Sequence, residues 1–226
     1  MLSQEMLDIL SKSKEWGWVM EPDAKRLLSL AGVEVPQFIC TGNLEEAIEF
    51  AERVEYPVVV KVVSPDVVHK TEAGGVAVGI NNKIALGEAF HRLSGIQGFR
   101  GVLVEESISG VEMIVGSKID YQFGPVILLG IGGTGVEIYK DTTLRMAPIK
   151  PEDVTSMLKS LKAHKLLEGY RGAEPIALDA LVRNLTAFSG LIMDLGEKVK
   201  SIDMNPVFCS PTRCVVGDAR IMLENS

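Results

Sequence analysis

The residues best placed to do chemistry fall in three groups. The first surrounds Lys61. The run Val58-Val59-Val60-Lys61-Val62-Val63 is apolar and β-branched apart from one lysine. An ammonium inside a buried strand must pair or face a ligand, because an uncompensated charge there is costly. His69, Lys70 and Thr71 follow in a polar loop, and Gly74-Gly75 lead into a second apolar run, Gly75–Ile80. A Gly-Gly step lets backbone N–H groups approach an anion closely. Lysine, histidine and paired glycines around one turn suit phosphate handling.

The second group lies near the C-terminus. Asp203 and Asn205 stand two apart in SIDMNP, which puts both on one face of a strand. Asp218 follows in VVGDARI, across a short connection, and meets Asn205 if the two strands pair. Hard oxygen donors of this kind suit Mg²⁺, which takes few protein ligands and completes its shell with phosphates. The third group is the break EESISGVE after an apolar run, with Glu112 a few residues on. Such a break presents backbone groups to a base edge, and Glu112 is placed to accept from ribose hydroxyls. Each group also has a plainer role. A strand lysine can snorkel to solvent at a sheet edge. A loop histidine can be polar surface, Gly-Gly a turn, and Asp203, Asn205 and Asp218 turn formers near strand ends.

A further motif, Gly130-Ile131-Gly132-Gly133-Thr134-Gly135, satisfies the dinucleotide pattern G-x-G-x-x-G. That pattern needs a helix directly after the glycines. The continuation VEIYKDTTLR alternates like a strand, so the dinucleotide reading fails and a loop bordering a ligand, or a plain hairpin, remains.

The elements that must position these residues follow from periodicity. Residues 1–20 read as a helical or loosely held arm. A helix opens at Glu21-Pro22 with Ala24, Leu27, Leu28 and Ala31 on one stripe, and Gly32 stops it. An extended stretch follows over Val33–Cys40. Asn43 is a natural N-cap, with Glu46 completing a capping-box pattern, for the helix Leu44–Val54. Another helix covers Lys83–Leu93. Extended runs cover Gly101–Glu105, Val111–Lys118, Pro125–Gly130 and Val136–Leu144. Helices span Pro151–Leu161 and Ile176–Leu195, and two strands, Val199–Phe208 and Cys214–Leu223, close the chain. Helices and strands mix without strict βαβ alternation, so the expected class is α+β. The expected division is an arm over 1–20, one subdomain over 21–106 and a second over 107–226.

Composition narrows the function. The chain has 226 residues and a formal charge of −7, with 46% hydrophobic and 23% charged residues. No basic excess exists to neutralise nucleic acid or an anionic membrane surface. Three cysteines without a CxxC pair, and an N-terminus lacking a basic region before an apolar core, fit a cytoplasmic protein. No apolar run reaches the roughly 18 residues that span a bilayer.

The order of strand lysine, hinge glutamate and terminal carboxylate–amide pair resembles that of ATP-grasp domains. The segments YPVVVKVVSPDVVHKTEAGGVAVGI, GVLVEESISGVEMIVGSKIDYQFGPVILLGIGG and SIDMNPVFCSPTRCVVGDARIML are similar to the β subunit of ADP-forming acyl-CoA (acetyl-CoA) synthetase, a relative of the succinyl-CoA synthetase β subunit. The likeness runs from about Glu21 to Leu223. It implies an ATP-grasp fold of two α+β subdomains enclosing a nucleotide cleft. It implies that Lys61 holds nucleotide phosphates and that Gly74 and Gly75 belong to a phosphate-covering loop. Glu105, Glu106 and Ile108 would line the adenine side, with the backbone of Glu106 and Ile108 facing the base, and Glu112 would meet the ribose. Asn205 and Asp218 would hold Mg²⁺, with Asp203 beside them and Arg145 as a further phosphate contact. His69, in the family's HK(S/T)-x-x-GG position, would carry the phosphoryl group. Thr134-Gly135 depart from the bulkier residues expected after the Gly-Gly.

The implied reaction is acyl-CoA + ADP + phosphate ⇌ acid + CoA + ATP, with phosphoryl transfer between phosphohistidine and ADP as this chain's share. It implies an α subunit carrying CoA binding and acyl transfer, in an α2β2 assembly. Two other readings stand beside it: a regulatory subunit that senses nucleotide without turnover, and an ATP-grasp carboxylate–amine ligase, which needs no histidine.

Overall fold

The computed structural model describes residues 1–133 and 140–224. The N-terminal residues do not form a separate arm. Helix α1 (Gln4–Ser13) starts at Ser3, whose hydroxyl accepts from the Met6 N–H. A two-residue strand, β1 (Trp18–Val19), and helix α2 (Glu21–Leu30) follow. Met6, Ile9, Leu10, Val19, Ala24, Leu27 and Leu28 join one core with residues of the C-terminal half. The chain accordingly divides into Pro36–Ile108 and a larger unit made of Met1–Val35 with Ser109–Ser226. The expected arm over 1–20 is thus part of the larger unit, and the boundary expected at residue 106 falls at 108. The apolar stripes of the first two helices were visible in the sequence, but not the sheet that they cover.

The smaller unit holds β2 (Phe38–Thr41), α3 (Leu44–Val54), β3 (Val58–Val63), β4 (Val76–Ile80), α4 (Lys83–Ser94) and β5 (Gly101–Glu106). The sheet runs β2-β5-β3-β4 with antiparallel neighbours. Asn43 caps α3 by accepting from the N–H groups of Glu45 and Glu46. The capping box is not completed in the expected way, since Glu46 instead accepts from the Thr41 hydroxyl. Val58, Val60, Val62, Val102 and Val104 pack with Ala47, Phe50, Leu86, Phe90 and Leu93 in one core. Strand alternation puts Lys61, Leu103 and Glu105 on the opposite face.

The larger unit continues with β6 (Val111–Asp120), β7 (Gly124–Ile131), β8 (Thr142–Met146), α5 (Pro151–Ser160), α6 (Leu178–Leu195), β9 (Val199–Cys209), β10 (Cys214–Val216) and β11 (Ala219–Leu223). Its sheet runs β1-β11-β9-β6-β7-β8, with β10 also paired to β9. Ile127, Leu129, Ile202 and Met204 share the core with Met157, Leu181, Phe188 and Ile192 of α5 and α6. Two expectations change. The final strand is broken into β10 and β11 at Gly217-Asp218. Of the strand expected over Val136–Leu144, residues 136–139 lie outside the described ones, Lys140 and Asp141 are not in a strand, and β8 starts at Thr142. Among the described residues no helix is long and apolar enough to cross a membrane.

Candidate functional site

The break between β10 and β11 brings the backbones of Asn205 and Asp218 together. The Asn205 N–H donates to the Asp218 carbonyl at 3.2 Å, and the Gly217 N–H donates to the Pro206 carbonyl at 2.8 Å. Only glycine fits at 217. A Cβ there would lie 2.6 Å from the Phe208 ring and 3.1 Å from the Pro206 oxygen. Asp218 is half-buried and Asn205 exposed. One oxygen of the Asp218 carboxylate accepts from the Ala219 N–H at 2.9 Å. Asp203, one pleat back along β9, is matched by Arg220 on β11, whose guanidinium lies 3.1 Å from its carboxylate. An exposed amide and a half-buried carboxylate, on residues joined by a backbone hydrogen bond, are a sparse, hard donor set. No cage of three or more His, Cys, Asp or Glu occurs among the described residues. That is the pattern by which Mg²⁺ is held through one or two protein oxygens plus phosphates, so the residues fit the ion.

In the smaller unit Lys61 is 7% exposed and its ammonium lies 2.7 Å from the Glu105 carboxylate. Glu105, expected at the adenine side, is itself 3% exposed and serves first as the counter-charge of this lysine. The loop from Ser64 to Gly75 carries an exposed His69. Gly74 has φ +66° with open space around it, whereas a Cβ on Gly75 would meet Val62 at 2.6 Å. The Gly75 N–H already donates to the Lys70 carbonyl, and the Gly75 carbonyl accepts from Val62. The Gly74 N–H donates to the Thr71 carbonyl and its carbonyl accepts from Arg92, so the two glycines differ in the space around them and not in their bonding. At the hinge the Glu106 N–H donates to the Gln37 carbonyl and its carboxylate accepts from the Gln37 N–H. The donor of Glu106 is thus committed to the sheet edge.

Residues 11–223 match the family model for an ATP-grasp domain. The chain belongs to the ATP-grasp family. It is 39% identical over 227 residues to the ADP-forming acetate–CoA ligase I subunit β of Pyrococcus furiosus, covering 96% of this chain and 97% of that one. It is 38% identical over 228 residues to the ADP-forming acetate–CoA ligase I of Archaeoglobus fulgidus, covering 98% of this chain but 33% of that longer one. A structure of the dinucleotide-forming acetyl-coenzyme A synthetase 1 of Ca. Korarchaeum cryptofilum, with coenzyme A, Ca-AMPCP and HgCl+, matches with a TM-score of 0.89 at 37% identity, over 96% of this chain and 99% of that one. The resemblance read from the sequence and the expected ATP-grasp fold both hold.

This ATP-grasp chain departs from the expected site at Arg145. Its strand position pairs with Ile127, which is fully buried in the core. The guanidinium reaches Ser156 of α5 at 3.2 Å. Asp203 lies on the other face, in the row Asp203, Gly116, Leu128 and Leu144. The structure therefore does not bring Arg145 to the acids. Glu112 instead borders the glycine loop of β7. Its carbonyl accepts from the Gly132 N–H at 2.6 Å, and a Cβ on Gly132 would lie 2.8 Å from its backbone. Gly130 and Gly132 of the rejected dinucleotide motif thus let neighbouring strands approach, while Thr134 and Gly135 lie outside the described residues. Arg220 was missed in the sequence. Its place two residues after Asp218, on the same strand as Ala219, was the available signal.

Proposed function

We propose that this chain is the nucleotide-binding β subunit of an ADP-forming acyl-CoA synthetase. Its share of acyl-CoA + ADP + phosphate ⇌ acid + CoA + ATP is phosphoryl transfer between phosphohistidine and ADP. The observation that carries this reading is the end-to-end match to the Pyrococcus furiosus β subunit. The Korarchaeum relative has also been solved with Mg-AMPPCP and a phosphohistidine segment directed at its nucleotide site.

The residue roles follow from their chemistry. His69, exposed on its loop, accepts a phosphoryl group when one ring nitrogen is neutral. An N–P bond forms there as the donor's N–P bond breaks. A terminal ADP oxygen then attacks phosphorus, and His69 leaves as neutral imidazole after taking up a proton. Such transfers need positioning and charge neutralisation more than covalent help. Lys61 offsets phosphate charge, with Gly74 in the covering loop and the backbone of Glu106 and Ile108 toward adenine. Through Glu112 the ribose hydroxyls are held. Asn205 and Asp218 would hold Mg²⁺, with Asp203 and Arg220 beside them. Bound there, the ion would neutralise charge developing on the transferred group. The acyl and CoA chemistry falls to an α partner, in an α2β2 enzyme of the cytoplasm.

The test is reconstitution with the α partner and an assay for ATP formed from acyl-CoA, ADP and phosphate. Activity that needs both chains supports the reading. Nucleotide binding with no turnover in the complete assembly sinks it.

A further inference from the structure

Lys25 is fully buried, yet it is a lysine. Its ammonium lies 2.9 Å from the Glu21 carboxylate, one helical turn earlier on α2, and donates to the Gly217 carbonyl at 2.9 Å. Glu21 is 3% exposed. Gly217 and Asp218 lie in the gap between β10 and β11, where the strand ladder is interrupted. The ammonium supplies a donor there, to the peptide that leads directly into Asp218. The same corner is held from the other side by Pro206 and Asn205.

Stability alone is a poor reason for such a pair. Burying two charges costs much of what their attraction returns, and apolar residues of similar size commonly serve packing as well or better. We propose that the Glu21–Lys25 pair is a positioning device for the metal-binding corner. Lys25 fixes the Gly217–Asp218 peptide and so aims the Asp218 carboxylate, without touching the ion. This inference rests on the proposed metal role of Asp218. Groups that orient a metal ligand from behind change affinity by about 10–100-fold when removed.

The experiment uses the full chain and Mn²⁺, whose paramagnetic resonance reports its binding in the presence of ADP. The variant is Glu21→Gln/Lys25→Met, which removes both charges together and with them the Lys25 donor to the Gly217 carbonyl. Circular dichroism and thermal unfolding establish its fold, and Glu21→Gln, which removes the counter-charge but keeps the Lys25 donor to Gly217, is the second probe. The expected result is a folded protein that binds ADP without metal as wild type does. It binds Mn²⁺ about 10–100-fold more weakly and exchanges the Ala219 amide hydrogen faster. A folded variant with wild-type Mn²⁺ affinity overturns the positioning role. Asp218→Asn separates the two failures. If it too binds Mn²⁺ normally, the metal assignment itself is wrong and the inference falls with it.

Discussion

The ammonium of Lys61 and the carboxylate of Glu105 lie 2.7 Å apart on neighbouring strands, and both side chains are almost wholly buried. Their positions are diagonal across the ladder, since Lys61 faces Leu103 and Glu105 faces Val59. A lysine that reads from sequence as an unsupported charge is therefore neutralised within the sheet. Removing one partner strands the other, which typically costs about 3–5 kcal/mol. Lys61→Met should lower stability by about that amount in urea unfolding. Lys61→Met/Glu105→Leu should recover most of it, while nucleotide binding stays lost in both. Normal ADP affinity in the folded double variant would show that Lys61 serves structure alone.

His69 separates a phosphoryl carrier from a nucleotide sensor. Its side chain is exposed on the loop between β3 and β4, so His69→Asn should change stability by less than about 0.5 kcal/mol. In the assembled enzyme, label from γ-³²P-ATP should no longer appear on this subunit. Turnover should fall by about 10³-fold or more, as when a covalent carrier is lost. Undiminished labelling of the variant would move the carrier elsewhere.

If Asn205 and Asp218 hold the metal as proposed, nucleotide binding depends on a divalent ion. Chelation with EDTA should weaken ADP binding, and added Mg²⁺ should restore it. A ligand present at 100 times its dissociation constant stabilises a protein by about 2.7 kcal/mol. Mg-ADP should therefore raise the unfolding temperature of the wild type by several degrees. The rise should shrink to that of ADP alone in Asp218→Ala. An equal rise in both proteins would place the ion away from this corner.

Much of the fold was legible because its helices carry strong apolar stripes and its strands dense β-branched runs. Asn43 as the cap of α3, the stripe of α6 and the approach of Asn205 to Asp218 all follow from local pattern. What was not legible depends on pairing. The face on which Arg145 lies is set by its register with β7, and one residue of slip would reverse it. Glu105 could not be named as the partner of Lys61 without knowing that β5 lies beside β3. The arm over 1–20 is amphipathic in sequence, but β1 has only two residues to announce its pairing with β11. Glu21 and Lys25 stand at the spacing of an ordinary surface pair on a helix, and only tertiary burial reveals otherwise.

Cys209 and Cys214 face each other across β9 and β10, both within 1% of full burial. The thiol of Cys209 is pushed far up by its hydrogen bond with Cys214 and by burial. A protonated thiol is a poor nucleophile. Iodoacetamide at mildly alkaline pH should modify the exposed Cys40 and spare the pair until denaturant is added, as read by peptide mass spectrometry. The pH dependence has a definite sign. Because the folded value of Cys209 lies above the unfolded one, near 8.5 for an ordinary thiol, its protonated thiol contributes fully below that pH. Its contribution declines as pH rises past it, since only the unfolded chain then releases the proton. The unfolding temperature should fall more steeply above about pH 9 in wild type than in Cys209→Ala/Cys214→Ala. Rapid native labelling of Cys209, or parallel curves for the two proteins, would show that this thiol ionises in the folded state.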